Sequence, residues 1–209
     1  MAHKFAETMF TPAVQRLQEK YGSRSQYAKV EKFGGPNDRL GDDEKDFLES
    51  RDSLYLATVS ETGWPYVQFR GGPAGFLKVL DDRTIGYADF RGNLQYISMG
   101  NLGHDGRVAL IAMDYPSQTR LKILGKARII EAGEEPELIQ KLRVEGYQAK
   151  IERAIVMEVA AFDWNCPQHI TQRFTQEEIE KAMEPMRERL VKLEEENKKL
   201  RTSLDVTRP

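Results

Sequence analysis

Short strand-like runs separated by close turn signals fill the middle of this chain, and that spacing leaves few folds open. Residues 54–59 read as a strand, and Glu61-Thr62-Gly63 turns the chain back into a second at 65–70. Residues 76–80 and 85–88 flank a turn at 81–84, 108–113 and 121–130 flank one at 115–118, and 154–159 form the last strand. Two short helices, 93–102 and 136–142, interrupt the region from Ser53 to Asp163. Strands this close, without alternating helical crossovers, predict an antiparallel barrel or sandwich rather than alternating β and α units. The fold class read from sequence is mainly β with peripheral helices.

A chain of 209 residues is long enough for one domain with a real core. A net charge of −2 argues against a protein built to coat nucleic acid or an anionic membrane. The single cysteine, Cys166, excludes an internal disulfide and fits a reducing compartment. The N-terminus lacks the apolar stretch of a signal peptide, and no apolar run approaches membrane-spanning length. The expectation is a soluble, cytoplasmic protein.

Three regions follow. Residues 1–41 read as an N-terminal helical arm, with a helix starting at Thr11-Pro12 and a loop at 33–38. Residues 42–174 read as the β domain, opened by a short helix with Asp42 as its N-cap and Phe47 and Leu48 facing inward. Residues 175–209 read as a C-terminal helix carrying a short heptad seam. Met183, Leu190 and Asn197 fall at a, and Ile179, Met186, Leu193 and Leu200 at d. The g-to-next-e pairs, Arg189 with Glu194 and Glu196 with Arg201, are opposite in sign, as parallel pairing requires. Pro185 is expected to restart the helix, leaving two to three heptads.

Two glycine-bearing segments carry the candidate chemistry. In 66–72, Gln68 and Arg70 lie two apart and share one strand face. They are either solvated side chains of an edge strand, or an amide and a guanidinium presented to a ring system and an anion. In 89–101, Arg91, Asn93, Gln95 and Ser98 surround Gly92. Either Asn93 caps an ordinary helix, or the helix start and Gly92 offer N–H groups to a phosphate. No Walker-type or dinucleotide fingerprint is present.

After the last strand come Trp164, Cys166, Gln168, His169 and Arg173. Cys166 and His169 have the spacing of half a metal site, but no second pair exists, so no metal site is expected. A Cys166 nucleophile with His169 as base stays open as an alternative. Trp164, Gln168 and Arg173 together fit a lid over a flat ligand better.

Taken in order, the strand at 65–70, the loop Arg70-Gly71-Gly72-Pro73-Ala74-Gly75-Phe76, the segment 89–101, the strand at 120–128 and the closing Trp164 to Arg173 resemble the pyridoxamine 5'-phosphate oxidase-like, FMN-binding split-barrel family over roughly residues 42–175. The resemblance implies an antiparallel split β-barrel that forms a homodimer with FMN at the interface. It places the phosphate near Arg91, Asn93, Gln95 and Ser98, and the flavin ring along Val67, Gln68, Phe69 and Arg70. Trp164 and Arg173 correspond to the family's closing residues, and Arg70 or Arg120 would stabilise reduced flavin. The implied function is a flavin-dependent oxidoreductase acting on a small-molecule substrate or electron donor. The alternatives are a non-catalytic flavin-binding or sensing module, and the same fold holding a deazaflavin or haem. The chain lacks the oxidases' Arg-to-Lys pair and Ser-Arg-Lys run, and has Leu121 after Arg120 where a glutamine is expected. The expectation is therefore flavin binding with little pyridoxamine phosphate turnover.

Overall fold

The structure is a computed structural model and describes residues 2–165 and 167–206; Cys166 lies outside the described residues. The elements run α1 (Lys4–Met9), α2 (Pro12–Lys20), α3 (Arg24–Phe33), α4 (Asp42–Glu49), β1 (Ser53–Val59), β2 (Pro65–Gly71), β3 (Leu77–Asp81), β4 (Thr84–Phe90), α5 (Ile97–His104), β5 (Arg107–Asp114), β6 (Thr119–Glu131), α6 (Pro136–Leu142), β7 (Ile151–Asn165) and α7 (Gln176–Val206). The chain divides into two compact units: Met1–Asp114 with Gln118–Ile170, and Tyr115–Ser117 with Thr171–Pro209.

The first unit is built on one seven-stranded sheet in the order β2-β1-β5-β6-β7-β4-β3, every neighbour antiparallel. Leu54 and Leu56 of β1 share a core cluster with Leu77 of β3 and with Ile85 and Tyr87 of β4. Three strands separate β1 from β4 in the sheet order, so these side chains meet only because the sheet curls round into a barrel. Curling is helped where β6 crosses β7. The register shifts at Leu124/Gly125, and a Cβ on Gly125 would stand 2.3 Å from the Glu158 carbonyl oxygen. Glycine is the residue that allows so close an approach.

The seam of the barrel lies between β2 and β4. Here Arg70 reaches Asp89 at 2.7 Å. Gly72 lets the chain leave β2 over Phe76 and Phe90, where a Cβ would meet their side chains at 2.8 to 3.2 Å. A second apolar cluster, on the outer side of β4, β6 and β7, packs Ile139 and Leu142 of α6 against Ala88, Ile130 and Val156. Pro136 at the first position of α6 suits a helix start, where a backbone N–H has no intrahelical partner.

Several sequence expectations change. The last strand is not 154–159 but β7, which runs 15 residues because it pairs with β6 along one edge and β4 along the other. The helix expected at 93–102 begins at Ile97; Asn93 does not cap it, and Tyr96 occupies the cap position with a left-handed backbone, φ 54°. Asp42 is the first residue of α4, not its cap: Gly41 precedes the helix, its N–H donating to Glu44 Oε2 at 2.9 Å. Thr11 caps α2 as its position suggests, accepting from the Val14 N–H. The arm packs into the first unit: Phe5 and Ala6 are buried, and Asn37 exchanges hydrogen bonds with the backbone of Phe162.

In the second unit, Gln172 donates to the Pro116 carbonyl at 2.8 Å and Arg173 lies 5.0 Å over the Tyr115 ring. Thr175 and Glu178 form a capping box. The Thr175 N–H donates to Glu178 Oε2, and the Glu178 N–H donates back to the Thr175 hydroxyl. From there α7 continues for 31 residues straight through Pro185, which does not restart it. No helix among the described residues is long and apolar enough to cross a membrane.

Candidate functional site

Strand β2 is inverted relative to its neighbour. In β1, Leu54, Leu56 and Thr58 face the barrel interior. Their direct partners in β2 are Arg70, Gln68 and Tyr66, so β2 sends polar side chains inward. Val67 and Phe69, 61% and 59% exposed, take the outward face. An inward-facing amide and guanidinium at the seam have to find partners or leave polar atoms stranded. Gln68 Oε1 accepts from the Ser98 hydroxyl at the start of α5, and Ser98 is buried. Arg70 Nη1 bonds Asp89 Oδ1, while Asp89 Oδ2 receives Arg153 Nη1 from β7 at 3.1 Å. Asp89 is thus a buried carboxylate clamped between two guanidinium groups, the pairing a buried charge requires.

Beside this clamp opens a cavity of about 290 Å³, bounded by β2, β4, the 92–96 loop, the first turn of α5 and the start of β7. Among the described residues, two buried polar atoms of its lining side chains have no hydrogen-bond partner: Arg70 Nε and the Tyr87 hydroxyl. Burial pushes the Tyr87 phenol far above its ordinary value; the Arg70 cation opposes that shift and the Asp89 carboxylate adds to it. The loop that roofs the cavity holds two non-glycine residues with positive φ, Leu94 at 61° and Tyr96 at 54°. Such conformations cost free energy and persist where surrounding structure imposes them. One support is Arg153, whose guanidinium sits 5.3 Å over the Tyr96 ring.

Of the residues singled out from sequence, Gln68, Arg70, Asn93 and Ser98 line this cavity together. The other six lie elsewhere in the single chain. Arg91 is turned to Glu152 at 3.7 Å, and Gln95 is exposed, its N–H donating to Asn93 Oδ1. Arg120 is near the start of β6, opposite Asn165 and Met113. Trp164 is the last residue but one of β7, packs edge-on to Phe47 at 4.8 Å and donates its indole N–H to Glu44 at 2.7 Å. Gln168 is exposed in a turn, and Arg173 belongs to the second unit, on Tyr115.

Sequence reasoning missed Asp89, Arg153, Tyr87 and Tyr96. A signal existed for Asp89. A lone carboxylate inside the apolar run Ile85-Gly86-Tyr87-Ala88-Asp89-Phe90 is buried by its strand and needs a cation close by. Nothing in the sequence says that the cation comes from two strands, 19 residues before and 64 after. Among the described residues no cluster of three or more His, Cys, Asp or Glu side chains is arranged to hold a metal ion.

Several solved structures are similar to this chain. A HupZ variant from Group A Streptococcus matches with a TM-score of 0.50 at 17% identity, over 60% of this chain and 99% of its own. An FMN-binding protein from Syntrophomonas wolfei is similar at 12% identity and a TM-score of 0.45, over 74% of this chain and 97% of its own. A Clostridium acetobutylicum protein of the pyridoxine phosphate oxidase family, related to general stress protein 26, is similar at 14% identity and a TM-score of 0.44, over 66% of this chain and 94% of its own. At 17% identity the HupZ likeness speaks for the fold alone. No curated protein matches the sequence. The family profile described as pyridoxamine 5'-phosphate oxidase matches residues 40–165, from just before α4 to the end of β7, which is more than half of the chain and includes the whole sheet. The chain therefore belongs to the pyridoxamine 5'-phosphate oxidase-like family of split barrels.

Proposed function

We propose that this protein is a homodimeric FMN-binding flavoprotein, acting as a flavin-dependent oxidoreductase. The observation that carries the reading is the seam cavity with its two unpartnered buried polar atoms, Arg70 Nε and the Tyr87 hydroxyl, in a chain of this family. A donor and a hydroxyl left without partners at a cavity wall fit a polar ligand that completes them. Gln68 and Arg70 would hold the ring system, while Asn93, Ser98 and the first turn of α5 would hold the phosphate. Bound flavin supplies two-electron redox chemistry, and the chain's own residues supply binding, orientation and exclusion of water.

The cavity, about 290 Å³, lies at the lower limit of ordinary ligand sites, roughly 300–1,000 Å³. A flavin mononucleotide would extend beyond it, as in a site shared between two copies. The surface next to it suits a second copy. Tyr55 lies opposite both Phe69 and Ile111, its ring 5.8 Å from that of Phe69, so β2, β1 and β5 expose a continuous apolar row. An exposed row of this kind marks an interaction face. Arg91, Gln95, Arg120, Trp164, Gln168 and Arg173 would contribute only where two copies meet.

A second reading, flavin binding without turnover, draws on the cavity's carboxylates. Asp89 is held by Arg70 and Arg153, and Glu152 by Arg153 and Arg91. Calorimetry of the apoprotein with FMN, FAD and a deazaflavin tests the main reading. FMN is expected to bind more tightly than FAD by about tenfold or more, since the lining offers one phosphate-sized polar cluster. Equal or tighter FAD or deazaflavin binding overturns it. Oxidation of reduced nicotinamide by the FMN-loaded protein separates enzyme from binding module.

A further inference from the structure

We propose that α7 pairs in parallel with α7 of a second copy of this chain, as a two-stranded coiled coil with Asn197 opposite Asn197. The inference is independent of the cofactor reading.

Every described side chain of α7 is exposed. A helix whose described side chains are all exposed gains little from packing, and isolated helices are marginal in water even at good propensity. Yet this one carries apolar side chains in strict four-three spacing. Ile179, Met183, Met186, Leu190, Leu193 and Leu200 are 43% to 72% exposed. The opposite face is mostly charged, with Glu184, Glu188, Lys192 and Glu195 beside one apolar residue, Val191. Such a narrow stripe is a coiled-coil seam rather than the broader face that packs on a globular core. The continuity of α7 lengthens the seam beyond what the sequence suggested. Pro185 falls at c, so its missing N–H and its ring lie off the seam and leave Met183 and Met186 in phase.

The occupant is a second copy because the seam complements itself. In a parallel pair Arg189 meets Glu194 and Glu196 meets Arg201, once on each side. An antiparallel pair centred with Leu190 opposite Leu193 also brings opposite charges together, Arg189 with Glu196 and Arg187 with Glu194. Charge therefore selects a like partner but not its direction. Asn197 selects the direction. Parallel pairing sets its amide against an identical amide, which can both donate and accept. Antiparallel pairing sets it against Met186 and strands it in the seam. A single asparagine at a also restricts the assembly to two strands.

Cysteine cross-linking of the full-length chain tests this, with Cys166 retained and each disulfide mapped by mass spectrometry. Leu200→Cys, at d, and Lys199→Cys, at c, are compared under oxidised glutathione. Parallel pairing predicts that Leu200→Cys links to itself about tenfold faster than Lys199→Cys or more, because the seam holds the two thiols at high effective concentration. Equal rates for the two variants overturn the pairing, including the case in which α7 lies against its own chain or another protein. Faster linkage in a mixture of Met183→Cys with Leu200→Cys than in Leu200→Cys alone shows an antiparallel pair and overturns the direction.

Discussion

Strand β2 and helix α7 both turn regular rows of apolar side chains outward, and the rows differ in what lies behind them. Behind Val67 and Phe69 the same strand sends Gln68 and Arg70 into the barrel, against Ser98, Tyr87 and Asp89. Behind the α7 seam, among the described residues, lies an exposed and mostly charged face. The outward row of β2 is coupled to a cavity by the two-residue period of a strand: whatever touches Val67 and Phe69 touches a strand whose other face lines that cavity. The seam of α7 has a period of three and a half residues, and the described side chains on its other face are exposed. One surface stands back to back with a cavity, whereas the other stands back to back with an exposed face.

The most disruptive way to probe this difference is Val67→Asp. The side chain is exposed and outside the cavity, so the fold should survive, but a carboxylate in an apolar interface should weaken dimerisation by about a hundredfold or more, on the scale of an interface hot spot. Flavin retention should fall with it, whereas the cross-linking variants in α7 should keep their flavin. Sedimentation at varied protein concentration, with flavin absorbance read on the same samples, shows whether the two losses travel together. An unchanged dimer would show that β2's outer face is not the interface.

A smaller effect is expected on the inner face. Arg70→Ala removes a charged contact and should weaken FMN binding roughly ten- to a hundredfold, about 1.5–3 kcal/mol. It also leaves Asp89 with Arg153 alone, so a thermal melt of the apoprotein belongs beside the titration. Full flavin affinity in a folded variant would detach the cavity from the ligand.

The smallest effect concerns Tyr87. Its folded-state phenol is raised far above the ordinary value of 10.0, so the folded protein keeps a proton that the unfolded chain releases. Stability from this group is whole below pH 10 and falls as pH rises past it, by up to about 1.4 kcal/mol per pH unit. Tyr87→Phe removes the stranded hydroxyl and should change stability at pH 7 by less than about 1 kcal/mol, since an apolar ring of the same shape replaces it. Denaturant melts from pH 8 to 11 should show a flatter decline in the variant; equal slopes would mean that the phenol titrates freely.

Much of the fold was legible because turns and alternation are local. Residues 136–142 form a helix as read, and the first six strands fall within a few residues of their sequence positions. The failures occur where distant partners decide. Ile151-Glu152-Arg153 looks like loop, yet it is strand because Arg153 lies opposite Asp89 and Glu131 on the two neighbouring strands. Asn93 looks like a helix cap, yet the chain stays irregular to Tyr96 over the cavity.

What the sequence determined by itself is periodicity: the first six strands and the heptad spacing of α7, each set by neighbours within a turn or a strand. What only the tertiary structure decided is polarity. Gln68 and Arg70 read equally well as solvated residues of an edge strand. They face inward because Leu54 and Leu56, their partners in β1, must be buried, and register then fixes which face of β2 turns to the core. Two inward polar groups at an incompletely paired seam leave a cavity where a continuous barrel would have packed leucine.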